Sequence, residues 1–475
     1  MAEETASESL YWALDGPVPP SARYVRALLL NGADPNIVDE YGDSPMTLAP
    51  AWSHELGSSE VLQLLLEAGG DAGHRNEEAE SPLHVATAVS DVSMLVEGGA
   101  DPNARSIFGW TPLFYVAGPG TAEALLAAGA EVDARDEFGY TALHFAGTAP
   151  IAKVLITAGA DVQARSELGE TPLFEAVQLC PEEGEEALFE ALHAAGGSLE
   201  VRNTDSETLL HAAAANADCE NSLQWLIENQ FDDVNPVDGI GRTPLSHAAE
   251  RNQSLTVLDH LLQAGANPAT RCQKGRLPLH WGARGNANPA VVSRLLGLQG
   301  DPDVVDQNGV TPLMIAAARN ENPRVVRMLL DAGADVNATM SSGLKATPVT
   351  LALRFNPAAR DIVPKLIAAG ADLSILDSNG LTPLMWAAAR TDDVESLRYL
   401  LTAGVDVDAR GASGRTALMQ AAAFSTIPDA VALLLNAGAD ATLQDEEGAR
   451  AIDLAHANEH LAGDEVLWRL NDLSY

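Results

Sequence analysis

The sequence predicts an all-α repeat solenoid of about 14 units, counting a cap at each end. First, a Thr-Pro-Leu-like motif recurs along nearly all of the 475 residues, at steps of 30 to 37 residues. Second, each copy is followed by two short apolar helix patterns, the second of which ends near a glycine. Third, the chain is 46% hydrophobic but only 5% aromatic, which suits thin helices that stack closely. The motif begins at Ser44, Ser81, Thr111, Thr141, Thr171, Thr208, Thr243, Leu277, Thr311, Thr347, Thr382, Thr416 and, in degraded form, Arg450.

The clearest copy of the repeat occupies residues 309–338. Thr311 precedes Pro312, and proline is favoured in the first turn of a helix because its missing N–H needs no partner there. A second helix follows over residues 323–331, and Gly333 is placed to end it as a left-handed cap. Neither helix can bury its apolar face alone. The pair therefore requires similar neighbours on both sides.

Two parts of the repeat, the start of its first helix and the repeat end, carry a family resemblance. Residues 81–86 read Ser-Pro-Leu-His-Val-Ala, residues 141–146 read Thr-Ala-Leu-His-Phe-Ala, and residues 332–338 read Ala-Gly-Ala-Asp-Val-Asn-Ala. With a period of roughly 33 residues, this sequence resembles the ankyrin repeat family over nearly its whole length. The resemblance implies short β-hairpin fingers between repeats, and a concave groove lined by the fingers and the first helices. It also implies that the motif histidines tie neighbouring repeats together through hydrogen bonds; these are His84, His144, His211 and His280.

We divide the chain into an N-terminal capping unit (residues 1–43), an ankyrin repeat array (44–448) and a C-terminal capping unit (449–475). The repeats over residues 81–170 are short, with 30 residues each. We expect the missing residues to shorten the turn between the two helices, as at Gly118.

Charge and cysteine content restrict the function and the compartment. The net charge of −39 argues against general binding to nucleic acid or to anionic membranes. The N-terminus has no basic and apolar signal pattern, and no run of about 18 apolar residues occurs. Cys180, Cys219 and Cys272 lie in different repeats without metal-ligand spacing, so we expect reduced thiols and a cytoplasmic protein.

The sequence contains no catalytic or phosphate-binding motif that we recognise, and we predict neither an enzyme nor a cofactor. His456 and His460 have a helical i,i+4 spacing that can hold zinc. Two ligands without a third are weak evidence, so we predict no metal site.

Two series of arginines stand out in this acidic chain. The helix-end arginines recur near the end of the first helix: Arg251, Arg284, Arg319, Arg354 and Arg390. The finger arginines begin the predicted fingers: Arg75, Arg105, Arg135, Arg165, Arg202, Arg271 and Arg410. Local roles, at a helix C-terminus or beside a neighbouring aspartate, would explain many of them. The sharper hypothesis is that the helix-end arginines grip an acidic peptide or another anionic ligand of a partner.

A second candidate surface is the fingertip patch, which we define as Ile107, Phe108, Trp110, Phe138 and Tyr140. Exposed aromatic side chains on adjacent loops are typical of binding hot spots. The same rings could instead pack finger against finger.

These observations favour a non-enzymatic, monomeric scaffold that binds a partner protein along the groove and the fingertips. The alternative is an acidic inhibitor, immunity-type or effector protein that occupies the basic site of a nuclease or DNA-binding protein. An enzyme with an unrecognised site would need a deep pocket with converging titratable groups.

Overall fold

The computed structural model describes residues 5–56, 59–179, 185–216, 219–230, 233–341, 343–389, 393–461 and 465–474. The chain divides into two compact units. The N-terminal unit comprises residues 1–213 and 221–231, and the C-terminal unit comprises residues 214–220 and 232–475. Each unit is built from helix pairs that stack on one another, so the prediction of an all-α repeat fold is confirmed.

The described residues contain 25 α-helices and three short 3₁₀ helices. The first eleven are α1 (Ala6–Asp15), α2 (Ala22–Leu30), α3 (Pro45–Leu56), α4 (Glu60–Glu67), α5 (Val89–Glu97), α6 (Pro119–Ala127), α7 (Ala149–Thr157), α8 (Pro172–Leu179), α9 (Glu185–Ala194), α10 (Leu209–Ala215) and α11 (Glu220–Gln230). The next seven are α12 (Pro244–Arg251), α13 (Leu255–Gln263), α14 (Pro278–Gly285), α15 (Pro289–Gln299), α16 (Pro312–Arg319), α17 (Pro323–Asp331) and α18 (Pro348–Phe355). The last seven are α19 (Ala359–Ala368), α20 (Pro383–Ala389), α21 (Val394–Thr402), α22 (Ala417–Phe424), α23 (Pro428–Asn436), α24 (Ala451–Ala455) and α25 (Glu465–Leu473). The 3₁₀ helices are Pro112–Tyr115, Ala142–Phe145 and Glu459–Leu461.

Local sequence signals set the ends of these helices. The Thr311 hydroxyl accepts a hydrogen bond from the Met314 N–H (3.2 Å) and so caps α16. Asn322 caps α17 in the same way, through the Arg324 N–H (3.0 Å). After α17, Gly333 adopts a φ of 91°, a left-handed conformation that favours glycine. The helix pair read from residues 309–338 is therefore present as predicted.

In the short repeats the first helix is shortened, and not the turn between the two helices. In two of them the first helix is reduced to the 3₁₀ helices Pro112–Tyr115 and Ala142–Phe145, and residues 82–85 form only turns. The second helices α5, α6 and α7 keep nine residues each. The expectation that the deficit falls in the turn between the helices is therefore wrong. Both segments still bury apolar residues, as Leu113 of the first and Leu125 of the second show, so a single turn is enough to place the first segment in the core.

The motif histidines join consecutive repeats. The Nδ1 atom of His144 accepts from the Thr141 N–H (2.9 Å), and its Nε2 atom lies 3.2 Å from the Glu170 carbonyl oxygen of the next repeat. His280 repeats this arrangement with the Leu277 N–H (3.1 Å) and the Val310 carbonyl (3.2 Å). Burial lowers the pKa of His280 to about 4. A neutral ring, which offers one donor and one acceptor, fits both bonds.

A ladder of buried asparagines ties the first helices of the C-terminal unit together. The Asn320 side chain is 3% exposed, and it donates to the carbonyl oxygens of Ala283 (3.1 Å) and Asn286 (2.9 Å) in the preceding repeat. Asn286 donates in the same way to Ala249 and Asn252, at 2.8 Å each. The ladder satisfies carbonyls at the ends of the first helices, which have no partner inside the helix. Its members are Asn252, Asn286, Asn320 and Asn356.

The turns between repeats contain no β-strand among the described residues, and the predicted β-hairpin fingers are not confirmed. One isolated antiparallel bridge joins Arg202 and Thr208. The fingers are instead tight turns, and an aspartate or asparagine side chain holds many of them, as where Asp136 Oδ1 accepts from the N–H groups of Phe138 (2.9 Å) and Tyr140 (2.8 Å). Single backbone hydrogen bonds link successive fingers within each unit, as from the Glu137 N–H to the Phe108 carbonyl (3.2 Å).

The cysteines do not all match the prediction of reduced thiols. Cys219 is disulfide-bonded, so the prediction is wrong for that residue. Cys272 is a buried free thiol, and Cys180 lies outside the described residues.

None of the helices in the described part of the chain combines the length and the apolarity that a bilayer span requires.

Candidate functional site

The finger arginines form hydrogen bonds that join successive fingers and so stabilise the fold. Arg105 donates from one guanidinium nitrogen to the Gly109 carbonyl of its own finger (3.1 Å) and to the Arg135 carbonyl of the next (2.6 Å). Arg135 bonds in the same way to Gly139 (3.0 Å) and Arg165 (2.7 Å). A local role therefore explains this series, although its partners are backbone carbonyls and not the neighbouring aspartates that we expected.

Two motif positions carry the bulky side chains next to the fingers, and sequence analysis overlooked the second of them. One position precedes the first motif residue, and the other follows that residue by four. Trp110 and Tyr115 hold these positions in one repeat, and their ring centroids lie 5.4 Å apart. In the C-terminal unit, Arg276 and Trp281 hold them, with the guanidinium carbon 5.6 Å from the ring centroid. Large side chains at a fixed offset in otherwise alanine-rich helices are the sequence signal that could have revealed this surface.

The fingertip patch is divided between exposed and half-buried side chains. Ile107, Phe108 and Phe138 are 49%, 48% and 53% exposed. Trp110 and Tyr140 are half-buried. The Trp110 Nε1–H donates to Asp136 of the next finger (3.0 Å), and the Tyr140 hydroxyl donates to Glu170 (2.9 Å). Packing of finger against finger therefore accounts for Trp110 and Tyr140, and the three exposed tips remain candidates for partner contact.

The rings beside the patch form a continuous aromatic cluster in the N-terminal unit. Phe145 lies 5.7 Å from Trp110, 5.3 Å from Tyr140 and 6.0 Å from Phe114, measured between ring centroids. These rings are half-buried. The 3₁₀ helices Pro112–Tyr115 and Ala142–Phe145 position Phe114 and Phe145, so the aromatic cluster coincides with the repeats whose first helix is shortened.

The helix-end arginines of the C-terminal unit lie against aromatic rings. The guanidinium carbon of Arg319 is 5.6 Å from the Phe355 centroid, and that of Arg354 is 4.9 Å from Phe355 and 4.7 Å from Trp386. These separations permit cation–π attraction. One guanidinium nitrogen of Arg354, Nη1, is buried without a hydrogen-bond partner. Arg251 is exposed, and Arg390 lies outside the described residues.

A cavity of about 500 Å³, which we call the Trp281 cavity, opens among these side chains. The guanidinium carbons of Arg242, Arg276 and Arg284 lie 5.3, 5.6 and 5.8 Å from the Trp281 ring centroid. Lys274 and Arg319 complete the cationic lining. The apolar part of the lining consists of Ile240, Val310, Met314, Ile315, Ala318, Met340, Leu344, Leu351 and Phe355.

Carboxylates neutralise part of this cationic wall. Asp238 pairs with Arg242 (2.7 Å) and Asp306 with Arg276 (3.0 Å), and Glu250 bonds to both Arg242 (3.4 Å) and Arg284. Burial opposes the ionisation of Asp238, but hydrogen bonds from His247 and Arg242 outweigh it and hold the pKa of Asp238 far below its usual range.

Two cations of the cavity have no carboxylate within ion-pair distance among the described residues. These are Lys274 and Arg319, both of which are exposed. The ion pairs engage Arg242, Arg276 and Arg284, so the charges of Lys274 and Arg319 are the ones left for a ligand among the described residues. The cavity carries positive charge within a chain whose net charge is −39, and the polar and apolar parts of its lining together suit a ligand that is both acidic and apolar.

A family model described as "Ankyrin repeats (3 copies)" matches residues 51–136, 87–166, 173–272, 248–340, 279–373 and 349–445. The chain belongs to the ankyrin repeat family. Ankyrin repeats are protein–protein interaction modules, and the repeats here span nearly the whole chain.

A curated relative matches a shorter stretch of these ankyrin repeats. The B-cell lymphoma 3 protein homolog of Mus musculus is 37% identical over 91 residues. The match covers 19% of this chain and 20% of that protein, so the similarity spans about a fifth of each.

Proposed function

We propose that this ankyrin repeat protein is a non-enzymatic, monomeric scaffold that binds an acidic segment of a partner protein. The observation that carries the proposal is the row of arginines and aromatic rings in the C-terminal unit, which concentrates positive charge in a strongly acidic chain. Guanidinium groups suit carboxylates because their fixed fork of donors can bind both oxygens. The net charge of −39 disfavours nucleic acid and anionic membranes as partners.

The binding surface in this proposal includes Arg251, Arg284, Arg319, Arg354 and Arg390. The fingertip patch, with Phe108 and Phe138 at its exposed tips, is a second contact region. Nothing in the comparisons supports the alternative of an inhibitor that occupies a basic nuclease site. A cytoplasmic location is part of the proposal, although the disulfide at Cys219 weighs against a reducing compartment.

The experiment compares the wild type with two charge-matched double variants by affinity purification and mass spectrometry. The first double variant, Arg251→Glu with Arg319→Glu, reverses two exposed helix-end arginines that form no ion pair with a described residue. The control, Arg324→Glu with Arg327→Glu, makes the same change in charge on the second helix α17, where both arginines are also exposed.

Circular dichroism first establishes that both double variants keep the helicity of the wild type. A partner that the wild type and the control recover, and that the first double variant loses, supports the proposal. Equal recovery by all three proteins removes the helix-end arginines from the binding surface. Loss in both double variants would indicate that net charge, and not this surface, governs the interaction.

A further inference from the structure

The Trp281 cavity differs from the rest of the arginine row because it combines unpaired cations with an apolar floor. Met314 is fully buried, while Val310, Ile315 and Leu351 are 7%, 5% and 6% exposed. Met340 and Leu344 pack on this cluster and are half-buried. Above this buried cluster, the half-buried Met340 and Leu344 offer apolar surface to a ligand, and the flexible Met340 side chain can adapt to the shape of the ligand.

The rim of the cavity favours carboxylates. After the pairs with Asp238, Glu250 and Asp306 are formed, the charges of Lys274 and Arg319 remain uncompensated. These two cations are exposed and can reach a ligand that enters the cavity. Two carboxylates on the ligand would balance them.

Trp281 supplies a third observation. Its side chain is 5% exposed, and its Nε1–H has no hydrogen-bond partner. Tryptophan N–H groups that are buried usually find an acceptor, so this donor is available to an oxygen of a ligand that displaces the side chains around it. Three guanidinium groups surround the same ring, which places the donor beside the cationic rim.

We propose that the Trp281 cavity is an anchor pocket for one bulky apolar side chain of a partner protein, flanked in the partner sequence by at least two carboxylates. The proposal rests on the function proposed above and narrows it from an acidic segment to an acidic segment with an apolar anchor. A purely polar anion leaves the floor unused, and a purely apolar side chain leaves Lys274 and Arg319 unpaired. Cavities of about 500 Å³ are within the usual range for binding sites.

The test measures the fluorescence anisotropy of two labelled synthetic peptides added to the full chain. The first peptide places Phe between two pairs of Glu, and the second replaces this Phe by Ser without any change in charge. We expect the Phe peptide to bind at least about tenfold more tightly than the Ser peptide. Its affinity should also fall as salt is raised, since the ion pairs at the rim are exposed.

Protein variants locate the binding. The double variant Lys274→Ala with Arg319→Ala should weaken binding of the Phe peptide by about tenfold or more. Ala318→Leu, which adds bulk to the lining, should weaken the Phe peptide more than the Ser peptide. Arg324→Ala with Arg327→Ala should change neither affinity, because those arginines lie on α17 outside the cavity lining. Circular dichroism of each variant excludes an effect of unfolding.

Two outcomes overturn the anchor pocket. Equal affinity for the two peptides means that charge alone is recognised, so the anchor fails while the proposed function stands. Binding of the Phe peptide that is insensitive to both the double variant and Ala318→Leu places the site elsewhere. The proposed function fails separately, if the purification with Arg251→Glu and Arg319→Glu recovers the same partner as the wild type.

Discussion

The asparagine ladder allows a sharp test of how the C-terminal unit is held together. Asn320→Ala removes two donated hydrogen bonds, to Ala283 (3.1 Å) and Asn286 (2.9 Å), and one accepted from the Asn322 N–H (2.9 Å). The side chain is 3% exposed, so water does not readily replace it.

The cost follows from the groups left without partners. A buried polar group that loses its hydrogen bond costs about 1 to 3 kcal/mol. The two carbonyls are buried near the ends of the first helices, while the third group is nearer the surface. We therefore expect Asn320→Ala to lower the free energy of unfolding of the C-terminal unit by about 2 to 5 kcal/mol. Asn320→Asp should cost at least as much, because it turns a carboxylate oxygen toward two carbonyl oxygens.

Urea unfolding followed by circular dichroism measures the change. Asn379→Ala is the matched control, since this residue is exposed at a finger and should stay within about 0.5 kcal/mol of the wild type. A loss below about 1 kcal/mol for Asn320→Ala would refute the reasoning, because it would mean that water or a small helix movement satisfies the carbonyls. The double variant Asn286→Ala with Asn320→Ala should be non-additive, since the Asn320 side chain donates to the backbone carbonyl of Asn286, and the hydrogen bonds of the Asn286 side chain hold that segment in place.

Three further predictions concern other parts of the chain. Burial, with the charge of Glu170, raises the pKa of Glu175 to about 7, so the folded state keeps a proton that the unfolded state loses above about pH 4.5. The contribution of Glu175 to stability therefore falls as pH rises from about 4.5 to 7. Glu175→Gln should add up to about 3 kcal/mol at pH 8 and almost nothing at pH 4, as compared by urea unfolding at the two pH values. Gly333→Ala should lower stability by about 1 to 2 kcal/mol because its φ is 91°, although open space surrounds the site. Gly297→Ala should raise stability by about 0.5 to 1 kcal/mol, because Gly297 lies inside α15 with open space around it. Thermal melts that rank the two variants in the opposite order would contradict this pair of predictions. Arg135→Ala should speed hydrogen exchange at the N–H groups of the fingers it joins, and unchanged exchange would rule out its bracing role.

The sequence by itself determined the helix pairs and the family. The signals for a helix pair lie within a few residues of one another, as in Thr311 and Pro312 at the start of α16 and Gly333 after α17. Such local signals act before any distant contact forms, and their repetition along the chain makes the reading reliable.

The tertiary structure alone decided where the short repeats lose residues. The length of 30 residues per repeat determines how many residues are missing, but it does not determine whether a helix or a turn is shortened. In the structure α5, α6 and α7 keep their length, whereas the first helix of two short repeats shrinks to the 3₁₀ helices Pro112–Tyr115 and Ala142–Phe145 and that of the other becomes turns.

Packing also decided what the arginines do. Arg105 and Arg135 were expected to act locally, beside a neighbouring aspartate, but stacking brings each guanidinium to a carbonyl 30 residues away. The Trp281 cavity arises in the same way, because Arg242, Trp281 and Arg319 belong to three successive repeats and meet only when the repeats stack. A repeat sequence encodes each helix pair locally, whereas the surface that a partner can bind is assembled from equivalent positions of neighbouring repeats.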